Sequence, residues 1–126
     1  MATLKNLKTK TDTCKRIKKD LDSYEKEVER EAAKTADMKA KGADFYDLKQ
    51  QENVLAESRM MIPDTRERLE KAFDDLNDIL AQLKESGLKE EGSEFDDARS
   101  VVQSLEQLFQ PSEVELVTSV VNDGCS

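Results

Sequence analysis

The chain has 126 residues, of which 37% are hydrophobic, 38% charged and 5% aromatic, with no histidine and no tryptophan. An ordinary globular domain is about 45–50% apolar and about 25% charged, so a thick core covered on both sides is excluded, and the length allows one domain at most. A formal charge of -8 disfavours a nucleic-acid partner, and the missing histidine removes the usual general base and the commonest metal ligand, so an enzyme is not expected.

Two architectures fit this composition: a disordered acidic chain, or long amphipathic helices packed along narrow seams. Cys14 and Cys125 lie far apart and form neither a disulfide framework nor a metal spacing, which predicts reduced thiols. The start, Met1-Ala2-Thr3-Leu4-Lys5, lacks the apolar run of a signal peptide, and no stretch approaches the ~18 apolar residues of a membrane span. A cytoplasmic protein without a lipid anchor is expected, since Ala2 replaces the glycine of myristoylation and Cys125 is penultimate.

Gly42, Gly87 and Gly92 cut the chain into three segments. In the first, Leu7, Cys14, Ile17, Leu21, Tyr24 and Val28 follow the three/four spacing of one apolar seam, which predicts a helix over about residues 4–40. In the second, Leu48, Leu55, Ile62, Leu69, Leu76 and Leu83 recur every seven residues, and Ala72, Phe73, Ile79 and Leu80 widen the stripe. Asp44, with Asp47 three residues on, caps the start, and Gly87 supplies the left-handed end, giving a helix over about 44–86. Pro63 removes one backbone bond and crowds the preceding turn, but the heptad phase is the same on both sides, so one kinked helix is predicted instead of two.

The third segment opens on a Ser93-x-x-Asp96 cap and carries Phe95, Ala98, Val101, Val102, Leu105, Leu108 and Phe109 up to Pro111, a helix over about 93–110. Short polar turns leave only antiparallel neighbours, and a seven-residue period imposes left-handed packing. The expected fold is all-α: an elongated antiparallel three-helix bundle over residues 1–110, with coiled-coil-like packing and the second helix kinked at Pro63. Residues 111–126 read as a flexible tail that could hold a short helix, because Ser112 and Glu115 resemble a capping box while Val114, Val117 and Val121 share a face.

No Gly-rich phosphate loop or nucleophile elbow is present. The acidic clusters Asp74, Asp75, Asp78 and Glu94, Asp96, Asp97 lack the spacing of a calcium loop and read as solvated helix faces, so no cofactor or metal is expected. Near the N-terminus, Lys5, Lys8, Lys10, Lys15, Arg16, Lys18 and Lys19 face Asp12 alone. Such a basic stretch reads either as attraction to an acidic protein surface or, equally well, as a solvated face on a polarised rod; a membrane role is less favoured because the bundle needs the apolar stripe. In Glu57-Ser58-Arg59-Met60-Met61-Ile62-Pro63-Asp64, Ile62 belongs to the seam, and Met60 and Met61 point about 100° apart, so at least one lies near the edge. Methionine adapts to irregular partners, although filling a gap beside a kink is the blander reading.

The run from Tyr46 to Asp64, and above all Ser58-Arg59-Met60-Met61-Ile62-Pro63-Asp64, closely resembles the signature of the tubulin-binding cofactor A (tubulin-specific chaperone A) family. Lys15-Arg16 and Tyr24-Glu25-Lys26-Glu27 resemble the first helix of that family, especially its plant members, and the resemblance spans roughly residues 4–110. Thr65 departs from the cysteine of many relatives, and the tail beyond Pro111 has no clear counterpart. The resemblance implies a three-helix bundle that captures β-tubulin released from the cytosolic chaperonin and supports αβ-heterodimer assembly. It would work with other tubulin cofactors and without nucleotide hydrolysis, in the cytoplasm and associated with the cytoskeleton.

The expected partner-binding residues are Tyr46, Glu57, Arg59, Met60, Met61 and Asp64, with Lys15, Arg16, Lys18 and Lys19 steering toward acidic tubulin. The expected state is a monomer, with a dimer compatible. The rival reading is a homo-oligomeric coiled-coil spacer or adaptor, supported by the same heptads but disfavoured by glycine turns that let the chain satisfy its own seams.

Overall fold

A computed structural model describes residues 3–109. Among them are three helices and no strand: α1 (Leu4–Ala40), α2 (Phe45–Glu85) and α3 (Ser93–Phe109). The readings of Ser112, Glu115, the tail valines and Cys125 lie outside the described residues.

Local chemistry sets the helix ends. Thr3 caps α1: its hydroxyl accepts from the Asn6 amide at 3.1 Å and its carbonyl from the Leu7 amide at 3.0 Å. At the other end the Gly42 amide donates to the Lys39 carbonyl (3.2 Å) and the Ala43 amide to the Met38 carbonyl (3.0 Å), a pairing that requires the left-handed φ of 71° at Gly42. Asp44 then caps α2, its carboxylate accepting from the Tyr46 amide at 3.1 Å. Pro63 lies within α2 and the helix runs through it without a break.

The cap of α3 differs from the expected Ser93-x-x-Asp96 arrangement. The Asp96 amide donates to the Gly92 carbonyl at 3.1 Å, and Ser93 is already the first helical residue. Gly92, at φ 111°, turns the chain into the helix and occupies the cap position, where its carbonyl accepts the first intrahelical bond.

The chain packs as two compact units. The first joins the stretch up to Cys14 with the stretch from Ala72 onward, and so contains the start of α1, the end of α2 and all of α3. Leu7, Cys14, Leu76, Phe95, Ala98 and Leu105 are at most 1% exposed there, with Leu83 and Ala72 also buried. These residues recur at three/four spacing, so each helix offers one stripe to the other two. Phe73 and Phe109 flank the core, their ring centroids 5.7 Å apart, and tie α2 to α3. The Lys10–Asp75 ion pair, at 3.5 Å and about 40% exposed on both sides, adds little beside this burial.

The second unit, residues 15–71, is an antiparallel hairpin of α1 and α2. Leu21, Leu55 and Leu69 are buried, and Ile17, Val28, Leu48 and Ile62 are half-buried. Between these leucines the seam buries Gln51, Ser58 and Thr65 on α2 and Thr35 on α1. Thr35 donates to the Glu31 carbonyl (2.8 Å), and the Gln51 amide nitrogen reaches across to the Glu31 carboxylate (2.6 Å) and carbonyl (3.3 Å). Among the described residues no buried side-chain polar atom lacks a partner.

Burial pushes the Cys14 thiol up to about 11, with Asp75 adding to the effect and Lys10 opposing it. The folded chain therefore keeps this proton between about pH 9 and 11, where the unfolded chain loses it, and the stability it contributes falls as pH rises through that window. Urea unfolding at pH 8.5 and pH 11 should show the wild type losing about 2–3 kcal/mol more than Cys14→Ala over the interval. Equal losses in the two proteins would show that the thiol does not titrate this way.

Candidate functional site

Apart from Leu4 and Leu88 in the other unit, the large apolar side chains that packing leaves exposed among the described residues lie in the hairpin unit, on α2. Phe45 is 78% exposed, Tyr46 65%, Val54 43%, Met60 71% and Met61 38%. Isolated exposed apolar residues are ordinary, whereas several along one helix face call for a reason.

Helical spacing sorts them. With Leu48, Leu55, Ile62 and Leu69 facing inward, Tyr46 and Met60 lie two heptads apart on the outermost line, and Val54 and Met61 lie one heptad apart on the next. Glu57 and Asp64 fall between those lines, each three or four residues from both methionines. The backbone thus brings Tyr46, Glu57, Met60, Met61 and Asp64 onto one face, a mixed apolar and acidic strip. Arg59 does not join it, because its line is that of Phe45 and Glu52, on the other flank of α2.

Parts of the strip are held in place. The Tyr46 hydroxyl accepts from the Gln50 side-chain amide at 2.9 Å, which orients the ring along the helix. Asp64 pairs with Arg68 at 2.5 Å, one turn on, and this hydrogen bond is the largest of the influences that raise the guanidinium's affinity for its proton. Asp64 is therefore a neutralised rim group, leaving Glu57 as the strip's acidic group nearest both methionines. Met60, unbranched and exposed, is the side chain most able to follow an irregular partner surface.

The four basic residues of α1 also belong to the hairpin unit. Lys15, Arg16 and Lys19 are exposed, and Lys19 lies three residues from Arg16 and four from Lys15, so these share an outer patch. Lys18 stands apart: it is half-buried at the seam edge and its ammonium binds Asp22 at 2.6 Å. The expected group of four resolves into an exposed patch of Lys15, Arg16 and Lys19, with Lys18 set apart at the seam edge.

Elsewhere, an open groove of about 510 Å³ lies in the other unit between Lys8 and Thr11 of α1 and Ser93, Glu94, Asp97 and Ser100 of α3. Among the described residues no three His, Cys, Asp or Glu side chains are grouped to hold a metal ion, and no helix is long and apolar enough to cross a membrane. The buried polar positions Gln51, Ser58 and Thr65 escaped a reading based on apolar residues. The signal that finds them is the three/four spacing to the leucines on either side.

Fold and surface together define an all-helical protein that offers contact faces on long helices. The tubulin binding cofactor A family matches residues 2–102. Tubulin-folding cofactor A of Arabidopsis thaliana is 67% identical over 109 residues, 86% of this chain and 96% of that protein. Tubulin-specific chaperone A of Homo sapiens is 41% identical over 102 residues, 81% of this chain and 92% of the human one. The crystal structure of the Arabidopsis cofactor matches with a TM-score of 0.78 at 65% identity, over 82% of this chain and 95% of that one. The human tubulin chaperone cofactor A structure matches with a TM-score of 0.70 at 40% identity, over 82% of this chain and 97% of that one. The chain belongs to the tubulin binding cofactor A family.

Because Met60 is 71% exposed whereas Leu69 is fully buried, the two respond oppositely to substitution. Met60→Glu should change stability by no more than about 0.5 kcal/mol, and Leu69→Ala should cost about 2–5 kcal/mol. Thermal or urea unfolding of both variants checks this. A Met60→Glu cost comparable to that of Leu69→Ala would place Met60 in the core and remove it from the strip.

Proposed function

We propose that the chain captures β-tubulin folding intermediates released from the cytosolic chaperonin and supports αβ-tubulin heterodimer assembly, in the cytoplasm, alongside other tubulin-folding cofactors and without hydrolysing nucleotide. The observation that carries this reading is family membership along almost the whole described length. The α2 strip supports it from the side of geometry: Tyr46, Val54, Met60 and Met61 form an apolar surface with an acidic rim, suited to shielding an aggregation-prone patch of a partner.

A protein of this kind works by mass action. Binding one conformation of a client stabilises it by RT ln(1 + [L]/Kd), and release follows when a competing assembly step lowers the free client. No bond need be made or broken. The patch of Lys15, Arg16 and Lys19 contributes to the rate of encounter with an acidic client more than to final affinity.

The rival reading, a homo-oligomeric spacer or adaptor, needs helix seams that are completed by another copy. Each unit buries its own seam leucines, which favours a monomer over an obligate oligomer, and sedimentation equilibrium separates the two. For the chaperone reading the deciding experiment is capture of newly chaperonin-released tubulin by the purified protein. Retention of β-tubulin in preference to α-tubulin or actin is expected, and lack of that preference would remove the function. Reversing the charge of Lys15, Arg16 and Lys19 together should slow association about tenfold at low salt and flatten its salt dependence. An unchanged rate and salt dependence would show that steering comes from elsewhere.

A further inference from the structure

The two units differ in what holds them closed. The unit built around α3 buries Leu7, Leu76, Leu83, Phe95 and Leu105 with Cys14, Ala72 and Ala98, and a single polar side chain among the described residues, Thr11, whose hydroxyl donates to the Leu7 carbonyl. The hairpin of residues 15–71 buries three apolar side chains among the described residues, Leu21, Leu55 and Leu69, only the first and last of them fully, and fills the rest of the seam with Thr35, Gln51, Ser58 and Thr65.

A buried hydroxyl bonded within its own helix gives no attraction across the seam. Thr35 is such a case, since its acceptor is the Glu31 carbonyl one turn back. The Gln51–Glu31 contacts do cross the seam, but they exchange hydrogen bonds to water for hydrogen bonds within the protein and so add register more than adhesion. Helices in proteins draw most of their stability from packing of an apolar face and not from propensity, so once the two arms part their own amide bonds fray.

We propose that residues 15–71 form a separately opening unit: the hairpin exchanges between a closed and an open state while the unit containing α3 stays folded. Opening presents Leu21, Leu55 and Leu69, apolar surface that is covered at rest and offered transiently. The polar seam positions set the population of the open state, and Gln51 with Glu31 restores the register on closing.

Native-state hydrogen exchange on the full chain across a denaturant series tests this. Amides beside Leu21, Leu55 and Leu69 should exchange through an opening populated at least about tenfold more than that of amides beside Leu76, Leu83 and Leu105, and with a weaker denaturant dependence. Thr35→Val combined with Thr65→Val, which exchanges buried hydroxyls for methyls of similar shape, should slow exchange within 15–71 by about tenfold and leave the other unit unchanged. The proposal is overturned if all these amides share one opening free energy and denaturant slope in the unmodified chain, or if the double variant slows both units equally. Should the double variant not fold, the profile of the unmodified chain decides alone.

Discussion

Everything in this fold hangs on one continuous line of α2. From Leu48 the inward positions run through Gln51, Leu55, Ser58, Ile62, Thr65, Leu69, Ala72, Leu76 and Ile79 to Leu83, steps of three and four residues with no slip, and every one of them is buried or half-buried. In the hairpin this line faces α1; in the other unit α2 shares the core with the start of α1 and with α3. A single residue inserted into it would rotate everything beyond by about 100° and turn leucines to water. Pro63 does no such damage, because it costs one backbone bond and leaves the count of residues intact.

That constraint explains how a chain with 38% charged residues builds an ordered fold. A seam uses two positions in seven, so most residues of each helix remain free to be polar. Exposed ion pairs such as Lys41–Asp37, 3.0 Å and one turn apart, decorate that surface without deciding the fold. The energetic weight falls on a short roll of fully buried side chains, and it falls unevenly, with Phe95, Leu7, Leu76 and Leu105 in one unit and Leu21 and Leu69 in the other.

The all-helical class and the inward leucines were legible in the sequence because a seven-residue leucine repeat has few other physical solutions. The polar half of the seam was not. Gln51, Ser58, Thr65 and Thr35 look like surface residues to any scale that counts hydrophobicity; on α2 only the three/four spacing to Leu48, Leu55, Ile62 and Leu69 betrays them, and on α1 only the seven-residue step from Val28 to Thr35. Thr65 shows what is at stake: a residue that looks ordinary on an exposed helix sits on a position 3% exposed, where a hydroxyl takes a place an apolar side chain would otherwise fill. The start of α3 falls one residue earlier than the Ser93 cap implies, since Gly92 occupies the cap position and its carbonyl accepts the first intrahelical bond without any side-chain signature. On the site, composition could nominate Arg59 beside Met60, but only helical phase tells that the two look in different directions.

The hairpin reverses the usual economy of an amphipathic helix. Its α2 segment places Gln51, Ser58 and Thr65 inside and leaves Tyr46, Val54, Met60 and Met61 outside, though exchanging the two sets would bury more apolar area at no cost in helix propensity. A sequence shaped for stability alone would not keep that arrangement. Local violations of the folding pattern concentrate where a protein does its work, and here two violations of opposite sign share about two heptads of one helix. On the function and the opening proposed above, an apolar outer face gives a partner something to hold, and a polar seam beneath it keeps the hold from being rigid. Taken singly, an exposed methionine or a buried serine needs no special account; their coincidence on one arm of the hairpin argues that contact surface and compliance were built together.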